Sequence, residues 1–225
     1  MGCAGGIDFI STLPLSREAV PAGFQTFKAD AEGPERRSLR RRYSPGPGQC
    51  QPNCWARFLA GHADELDLRL VDFNGGTLRN AIPREAFATV AIAADKVDAL
   101  KNLSTDYLDI LKNELAAKEK NLTVVLEAVS SDKAALTKQS RDSFVQLLNA
   151  TPNGVIRNSD VAKGVVETSL NVGVVTMSDD SAEIICLIRS LIDSGKEYVV
   201  SMLESLGKLS GAKTSAKGSY PRLAA

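Results

Sequence analysis

The 225-residue sequence predicts an α+β fold: an antiparallel sheet of about eight strands with helices packed on one face. Three observations predict it. Short runs with a period of two alternate with longer amphipathic stretches of period three to four. Hairpin signals survive between several of the strands, as in antiparallel sheets. The order two strands, helix, strand runs from Asn80 to Val129 and again from Asn171 to Tyr220, which indicates a diverged internal duplication.

Residues 7–13 and 24–29 are strands, joined by a turn-rich connection holding Pro14 and Pro21, and are expected to pair with each other. Residues 57–62 form the end of a helix. Residues 66–73 alternate apolar and polar side chains as a half-buried strand does, and Asn74-Gly75-Gly76 is a turn. A strand over 87–93 leads into a helix opened by Asp95. That helix carries Val97, Leu100, Leu103, Leu108, Leu111 and Leu115 on one side, and an apolar strand over 121–129 follows. The second half opens on a helical stretch holding Asp132 and Asp142, with Leu136, Phe144, Leu147 and Leu148 on its apolar side. It ends at Pro152-Asn153-Gly154. A hairpin over 167–177 and 183–191 turns at residues 178–181. The last helix, with Val199, Met202, Leu203, Leu206 and Leu209, stops at Gly211, and residues 213–220 close as a strand.

With 44% apolar and 24% charged residues the chain is long enough to bury a proper core. Its 27 basic residues balance 27 acidic ones, so no global field favours nucleic acid or an anionic membrane. No apolar run approaches the ~20 residues of a membrane span, and the segment after Met1 lacks the features of a signal peptide, so the expected location is cytoplasmic. Cys3, Cys50, Cys54 and Cys186 show no framework of close spacings and are expected to be thiols.

Residues 31–55 read unlike the rest. They hold five arginines, four of the nine prolines, two of the four cysteines and the single tryptophan, without helical or strand periodicity. Arg40-Arg41-Arg42 invites a phosphate-binding reading, but no basic face elsewhere continues it. Cys50 and Cys54 would need Cys3 and His62 nearby to complete a zinc site. His62 is the only histidine, no GxSxG elbow accompanies it, and it reads as a helix-end residue. The loop 75–86, GGTLRNAIPREA, can hold a polar side chain toward a ligand or be a plain hairpin connection. Arg189 sits inside the apolar run IICLIRSL, where an arginine is costly unless it is ion-paired or kept for an anion.

Five segments carry a family resemblance: MGCAGGIDF, REAVPAGFQTFK, RFLAGHADELDLRLVDFNGGTLRNAIPREAFAT, LLNATPNGVIRNSDVAKGVVETSLNVGVVTM and LIRSLIDSGKEYVVSMLESLGKLSGAKT. They resemble the central region of the aminoacyl-histidine dipeptidases, dinuclear zinc peptidases related to carnosinase and aminoacylase. In that family a catalytic domain is split in sequence around an inserted lid. The resemblance implies one lid domain over 1–225, built from two duplicated ferredoxin-like halves at about 1–130 and 131–221. It further implies that the catalytic zinc domain is absent from this chain. The family's metal ligands, an H-x-D motif, a Glu-Glu pair and a late histidine, have no counterpart here. The chain is therefore expected to hold no catalytic or metal-binding residue and no cofactor, whereas the intact family enzyme holds two zinc ions and hydrolyses Xaa-His and other dipeptides. By position, Arg189 resembles the lid arginine that takes the substrate carboxylate, Asn171 a nearby loop asparagine, and Asn80 its counterpart in the first half. The implied partners are a dipeptide in the intact enzyme and, as the alternative function of a non-catalytic interaction module, a second copy in a homodimer.

The departure at 31–55 has an explanation in the genetic code. The family segment Leu-Lys-Gly-Gly-His-Ser-Gly-Gly, read one nucleotide out of step, gives Pro-Glu-Arg-Arg-Ser-Leu-Arg-Arg, the residues from Pro34 to Arg41. Gly-Leu-Gly-Asn-Ala-Asn gives residues 46–51 in the same way, and Tyr-Pro-Gly-Trp-Gln-Pro gives the last six residues. On this hypothesis the chain is a truncated piece of a dipeptidase gene, frame-shifted over 34–55 and 222–225, and 31–55 is a disordered loop that lacks the family's lid histidine. Re-reading the source DNA tests this; an uninterrupted read encoding Arg40-Arg41-Arg42 in a gene with its own promoter would overturn a sequencing-error origin of the shifts.

Overall fold

The computed structural model describes residues 4–32, 52–115 and 122–220. In chain order the elements are β1 (Gly5–Pro14), β2 (Arg17–Glu18), β3 (Phe24–Glu32), α1 (Pro52–His62), β4 (Arg69–Gly75), β5 (Glu85–Ala93), a 3-10 turn leading into α2 (Val97–Leu115), and β6 (Thr123–Ala128). They continue with β7 (Ala135–Leu136), α3 (Lys138–Ala150), β8 (Gly154–Asn158), β9 (Val166–Met177), β10 (Ser181–Ser190), α4 (Asp193–Ser210) and β11 (Lys213–Tyr220). Nine strands form one antiparallel sheet in the order β11-β1-β10-β9-β4-β5-β3-β6, with β8 added on β9; β2 and β7 make a separate small ribbon.

Alternation along the strands sends one set of side chains into a main core, and a small second cluster of Val71, Ala91 and Ala135 lies apart from it. Phe9 and Leu13 of β1, Phe27 and Ala29 of β3, Phe73 of β4, Leu170 and Val172 of β9, and Ile184, Cys186 and Ile188 of β10 belong to it. The helices add Trp55, Phe58 and Leu59 of α1, Leu100 and Leu111 of α2, Phe144 and Leu148 of α3, and Val199 and Leu203 of α4. Removing each of the larger aliphatic and phenylalanine side chains from water contributes about 1.5–3 kcal/mol. α3 starts later than its sequence pattern suggests. Thr137 caps it, accepting a hydrogen bond from the Ser140 backbone N–H, so Asp132 precedes the helix and Leu136 is a buried residue of β7. Gly211 closes α4 in the left-handed conformation expected of a helix stop.

The duplication is present and larger than the sequence pattern showed. β3-α1-β4-β5-α2-β6 forms a four-stranded unit in the order β4-β5-β3-β6. α3-β9-β10-α4-β11 forms its counterpart in the order β9-β10-β1-β11, and the missing first strand is β1. A division into halves at 1–130 and 131–221 is therefore corrected: the first-half unit is inserted between β1 and the remainder of the second. Nor do β1 and β3 pair with each other. β1 lies between β10 and β11, and β3 between β5 and β6.

The connection between these two strands is diverted by Arg17. Its guanidinium donates to the carbonyls of Val71, Ala134, Ser178 and Asp179 at 2.7–2.8 Å. Those acceptors come from three different segments, so the chain is carried across the sheet instead of turning back on itself.

The expected loop over 31–55 is corrected at both ends, while residues 33–51, including Arg40-Arg41-Arg42 and Cys50, lie outside the described residues. Ala31 is a buried residue of β3, and Pro52 to Trp55 form the first turn of α1, proline suiting a position whose N–H needs no helical partner. Trp55 is 4% exposed and packs edge-on against Phe58, with ring centroids 5.5 Å apart. Tyr107 of α2 stacks on Phe58 from a second side and donates its hydroxyl to the Cys54 carbonyl at 2.9 Å. Trp55→Ala is expected to cost about 3–5 kcal/mol in chemical denaturation with an unchanged m-value. A loss below about 1 kcal/mol would show that the first turn of α1 does not belong to the core.

Candidate functional site

Core residues occupy one face of β9 and β10, so the alternate residues Asn171, Leu187 and Arg189 face away from the helices. Cross-strand register extends this row. Arg189 lies opposite Gly6 of β1 and Ser169 of β9, and Leu187 lies opposite Asp8 and Asn171. On β11, Tyr220 stands opposite Gly6 and Lys217 opposite Asp8. Polar and charged groups from four neighbouring strands thus share the helix-free face of the second half.

The loop between β4 and β5 lies against this face. Its crossing over β9 leaves no room for side chains: a Cβ on Gly173 would come within 2.5 Å of the Arg79 backbone, and one on Gly76 within 2.1 Å of the Gly173 carbonyl oxygen. Gly76 also adopts φ +68°, a conformation glycine takes without penalty. Gly173 sits where the β9–β10 register shifts, a bulge that moves the backbone out of the way. Asn171 then clamps the loop: its buried amide donates to the Arg79 carbonyl at 3.0 Å and to the Ala81 carbonyl at 2.9 Å. Arg79 reaches on to the Asp8 carboxylate at 2.7 Å.

The three site residues read from the sequence therefore have distinct places. Asn171 and Asn80 are brought together, since the two carbonyls that Asn171 holds flank Asn80. Asn80 itself is exposed at the turn. The amide hydrogens of Asn171 are spent on the loop, which makes it a positioning residue in this arrangement; its Oδ1 is buried without a hydrogen-bond partner among the described residues. The two asparagines are not equivalents of the duplication, for Asn171 lies within β9 and Asn80 follows β4. Arg189 is half-buried on the same face. Its Nε has no hydrogen-bond partner, and no ion pair engages its guanidinium among the described residues, so the core-edge ion-pair reading is not realised. Asp8, one step along β1 from the partner of Arg189, is committed to Arg79.

Asp8, Arg79 and Tyr220 were not singled out from the sequence. Arg79 stands beside Asn80 in the glycine-bounded loop and could have been; Asp8 is a lone charge between Ile7 and Phe9, the alternation of a two-faced strand.

His62 is the last residue of α1, its ring tilted against Phe58 at 5.0 Å and its Nδ1 3.8 Å from Glu65, as a helix-end residue. No group of three or more His, Cys, Asp and Glu side chains among the described residues could hold a metal ion; Cys3 and Cys50 lie outside them. Cys186, on the core face of β10, is a buried thiol that desolvation pushes up to about 12, which makes it a packing group and a poor nucleophile.

Comparison with known proteins places these features. Residues 53–119, from α1 to the region after α2, match a family described as peptidase dimerisation domain. The chain is 71% identical over 221 residues to the cytosol non-specific dipeptidase of Escherichia coli (strain K12), covering 98% of this chain and 45% of that protein. It superposes on the crystal structure of aminoacylhistidine dipeptidase from Vibrio alginolyticus with a TM-score of 0.95 at 47% identity, covering 99% of this chain and 45% of that one. The chain thus spans less than half the length of these relatives. The resemblance read from the five segments is borne out over nearly the whole chain.

Asn171→Ala is expected to keep the fold but to release the 76–84 loop, raising amide hydrogen exchange there and lowering stability by about 1–3 kcal/mol. Unchanged exchange in that loop would show that the clamp does not hold it.

Proposed function

We infer that this relative of the aminoacyl-histidine dipeptidases is the substrate-capping lid of such an enzyme, a metallopeptidase of the cytoplasm that hydrolyses Xaa-His and other dipeptides. The observation that carries this reading is Arg189, a half-buried guanidinium with no counter-charge among the described residues, beside a loop clamped by Asn171. A guanidinium fork matches the two oxygens of a carboxylate, so a dipeptide C-terminus is the ligand it suits. Asn80, exposed on the clamped turn, is the further substrate-binding group of this reading. The pairing of Gly6 with Tyr220 supports an inserted lid, because the first and last strands of the sheet run side by side and can enter and leave a neighbouring domain at one place.

Two zinc ions would supply the activated water for hydrolysis in the intact enzyme. The described residues do not fit such a centre, for they contain no cluster of metal-ligating side chains. In this reading the metal chemistry belongs to protein beyond this chain, and the chain's own residues bind and orient.

A second reading, a homodimerisation module, is favoured by the edge strand β6. Among the described residues it pairs with β3 alone, and Val125 is 46% exposed on it. Ile110 of α2 is also exposed. The opposite edge, β11, is blunted by Lys213, Lys217 and a left-handed Gly218, devices that discourage strand addition. The two readings are compatible in one domain.

The purified chain with zinc is expected to give no hydrolysis of carnosine above a control for host enzyme, and sedimentation velocity is expected to show a dimer that Val125→Lys dissociates. Turnover by the chain that Arg189→Ala abolishes would overturn the non-catalytic lid, and a monomer at all concentrations would overturn the dimer.

A further inference from the structure

We propose that Tyr220 is a second ligand-binding residue of the Arg189 site, its phenol hydroxyl donating to the carboxylate that the Arg189 guanidinium holds. The inference rests on the lid reading of Arg189 and adds a group that neither the sequence motifs nor the comparisons assign.

The placement follows from Gly6. A Cβ at Gly6 would lie 2.3 Å from the Tyr220 hydroxyl oxygen and within 2.8 Å of two ring carbons, so the phenol occupies the space where a side chain of β1 would stand. Gly6 is the direct cross-strand partner of Arg189. Side chains directly opposite in an antiparallel pair have Cβ atoms about 4.5–5.5 Å apart. The ring of Tyr220 therefore reaches across β1 from β11 and presents its hydroxyl beside the root of the Arg189 side chain, on the helix-free face. Any residue larger than glycine at position 6 would separate the two.

The end of β11 is held where this requires it. The Tyr220 carbonyl accepts from the Nζ of Lys196 at 3.4 Å, and that lysine is a buried residue of α4 paired with Asp193 at 2.9 Å. Tyr220 remains 40% exposed, open to a ligand approaching the face. Its hydroxyl makes no hydrogen bond among the described residues.

The chemistry is complementary. Arg189 offers fixed positive charge and a planar fork, and Asp8, the carboxylate that could have quenched it, is bound to Arg79. A phenol hydroxyl offers one further donor without charge, and a carboxylate has about four lone-pair sites to accept both. The class of ligand is a carboxylate small enough to lie over Gly6, such as the C-terminus of a dipeptide.

The test is an NMR titration of the full chain with glycylglycine, using glycylglycinamide, which lacks the carboxylate charge, as the control. Glycylglycine is expected to shift the Arg189 Nε and Tyr220 ring signals and the amide analogue to leave them in place. Tyr220→Phe keeps the ring and removes only the hydroxyl; it should weaken glycylglycine about 3- to 10-fold, the worth of one hydrogen bond. Gly6→Ala, by displacing the ring, should weaken it at least as much. Arg189→Ala should abolish it. Wild-type affinity in Tyr220→Phe with loss in Arg189→Ala would overturn the role of Tyr220 while sustaining the carboxylate reading of Arg189. No response of the wild-type chain, equal binding of the amide, or unchanged binding in Arg189→Ala would overturn both.

Discussion

The close crossing of the β4–β5 loop over β9 is the constraint on which the rest of the molecule hangs. The two four-stranded units meet in the sheet at a single β4–β9 residue pair, Gly75 with Val175. The loop that continues from Gly75 adds a second tie on the helix-free side, beside the shared core in which Phe73 meets Phe144 and the Asn53 amide of α1 donates to the Leu148 and Thr151 carbonyls. Gly76 and Gly173 let two backbones approach more closely than any side chain permits, and the Asn171 amide and the Arg79–Asp8 ion pair then fasten one unit to the other. The ion pair is more than half exposed at Arg79 and contributes little by itself. The amide bonds are partly buried, and losing either leaves a carbonyl without its partner, which is the larger cost.

Inserting one unit into the other has a mechanical effect. β1 must travel from the second unit's sheet to the start of the first, and the return at α3 must find the same place. Arg17 fixes the outward passage through four carbonyls, and Thr137, whose backbone N–H donates to the Ser16 carbonyl, fixes the return beside it. Backbone acceptors do not titrate, so this junction keeps its geometry at any pH at which the sheet survives. The outer elements behave otherwise. Asp64 is held below the usual carboxylate range by hydrogen bonds from Lys138 and Arg141, and its stabilising contribution, present above the unfolded value, falls away as acid protonates it in the folded state.

Local structure was legible in the sequence wherever a single element carried its own signals. β11 has the bounds its pattern indicated, the β9–β10 hairpin turns where its serines stand, and Gly211 stops α4 by the conformation that singled it out. Partnership was not legible. β1 and β3 look like neighbours because they are adjacent in sequence, yet each is an interior strand whose hydrogen-bonding neighbours lie far along the chain. Periodicity names the face a strand buries and says nothing of the strand beside it. The start of α1 was hidden for a different reason: Pro52 to Trp55 sit at the end of a stretch with no periodicity, and four residues are too few to show one. Among the candidate residues, the type of Asn171 was informative but its role was not, since a buried amide serves equally to hold a loop or a ligand and only its partners decide.

The division of the sheet into two faces explains how a site can be built here without weakening the core. Every large apolar side chain of β9 and β10 that the helices need points one way, so the opposite positions are free to carry groups that a core would reject. An arginine without counter-charge is costly in an apolar interior but tolerable on a half-open face. Its charge stays unquenched because Arg79 occupies Asp8, and Arg79 is in place because Asn171 and the glycines bring the loop there. The junction that joins the two units is thus the same set of contacts that leaves Arg189 available to an anion. Loosening the clamp would free Asp8 to turn to Arg189, trading an unpaired guanidinium for an internal ion pair, so stability of the junction and the proposed carboxylate site are coupled through one aspartate.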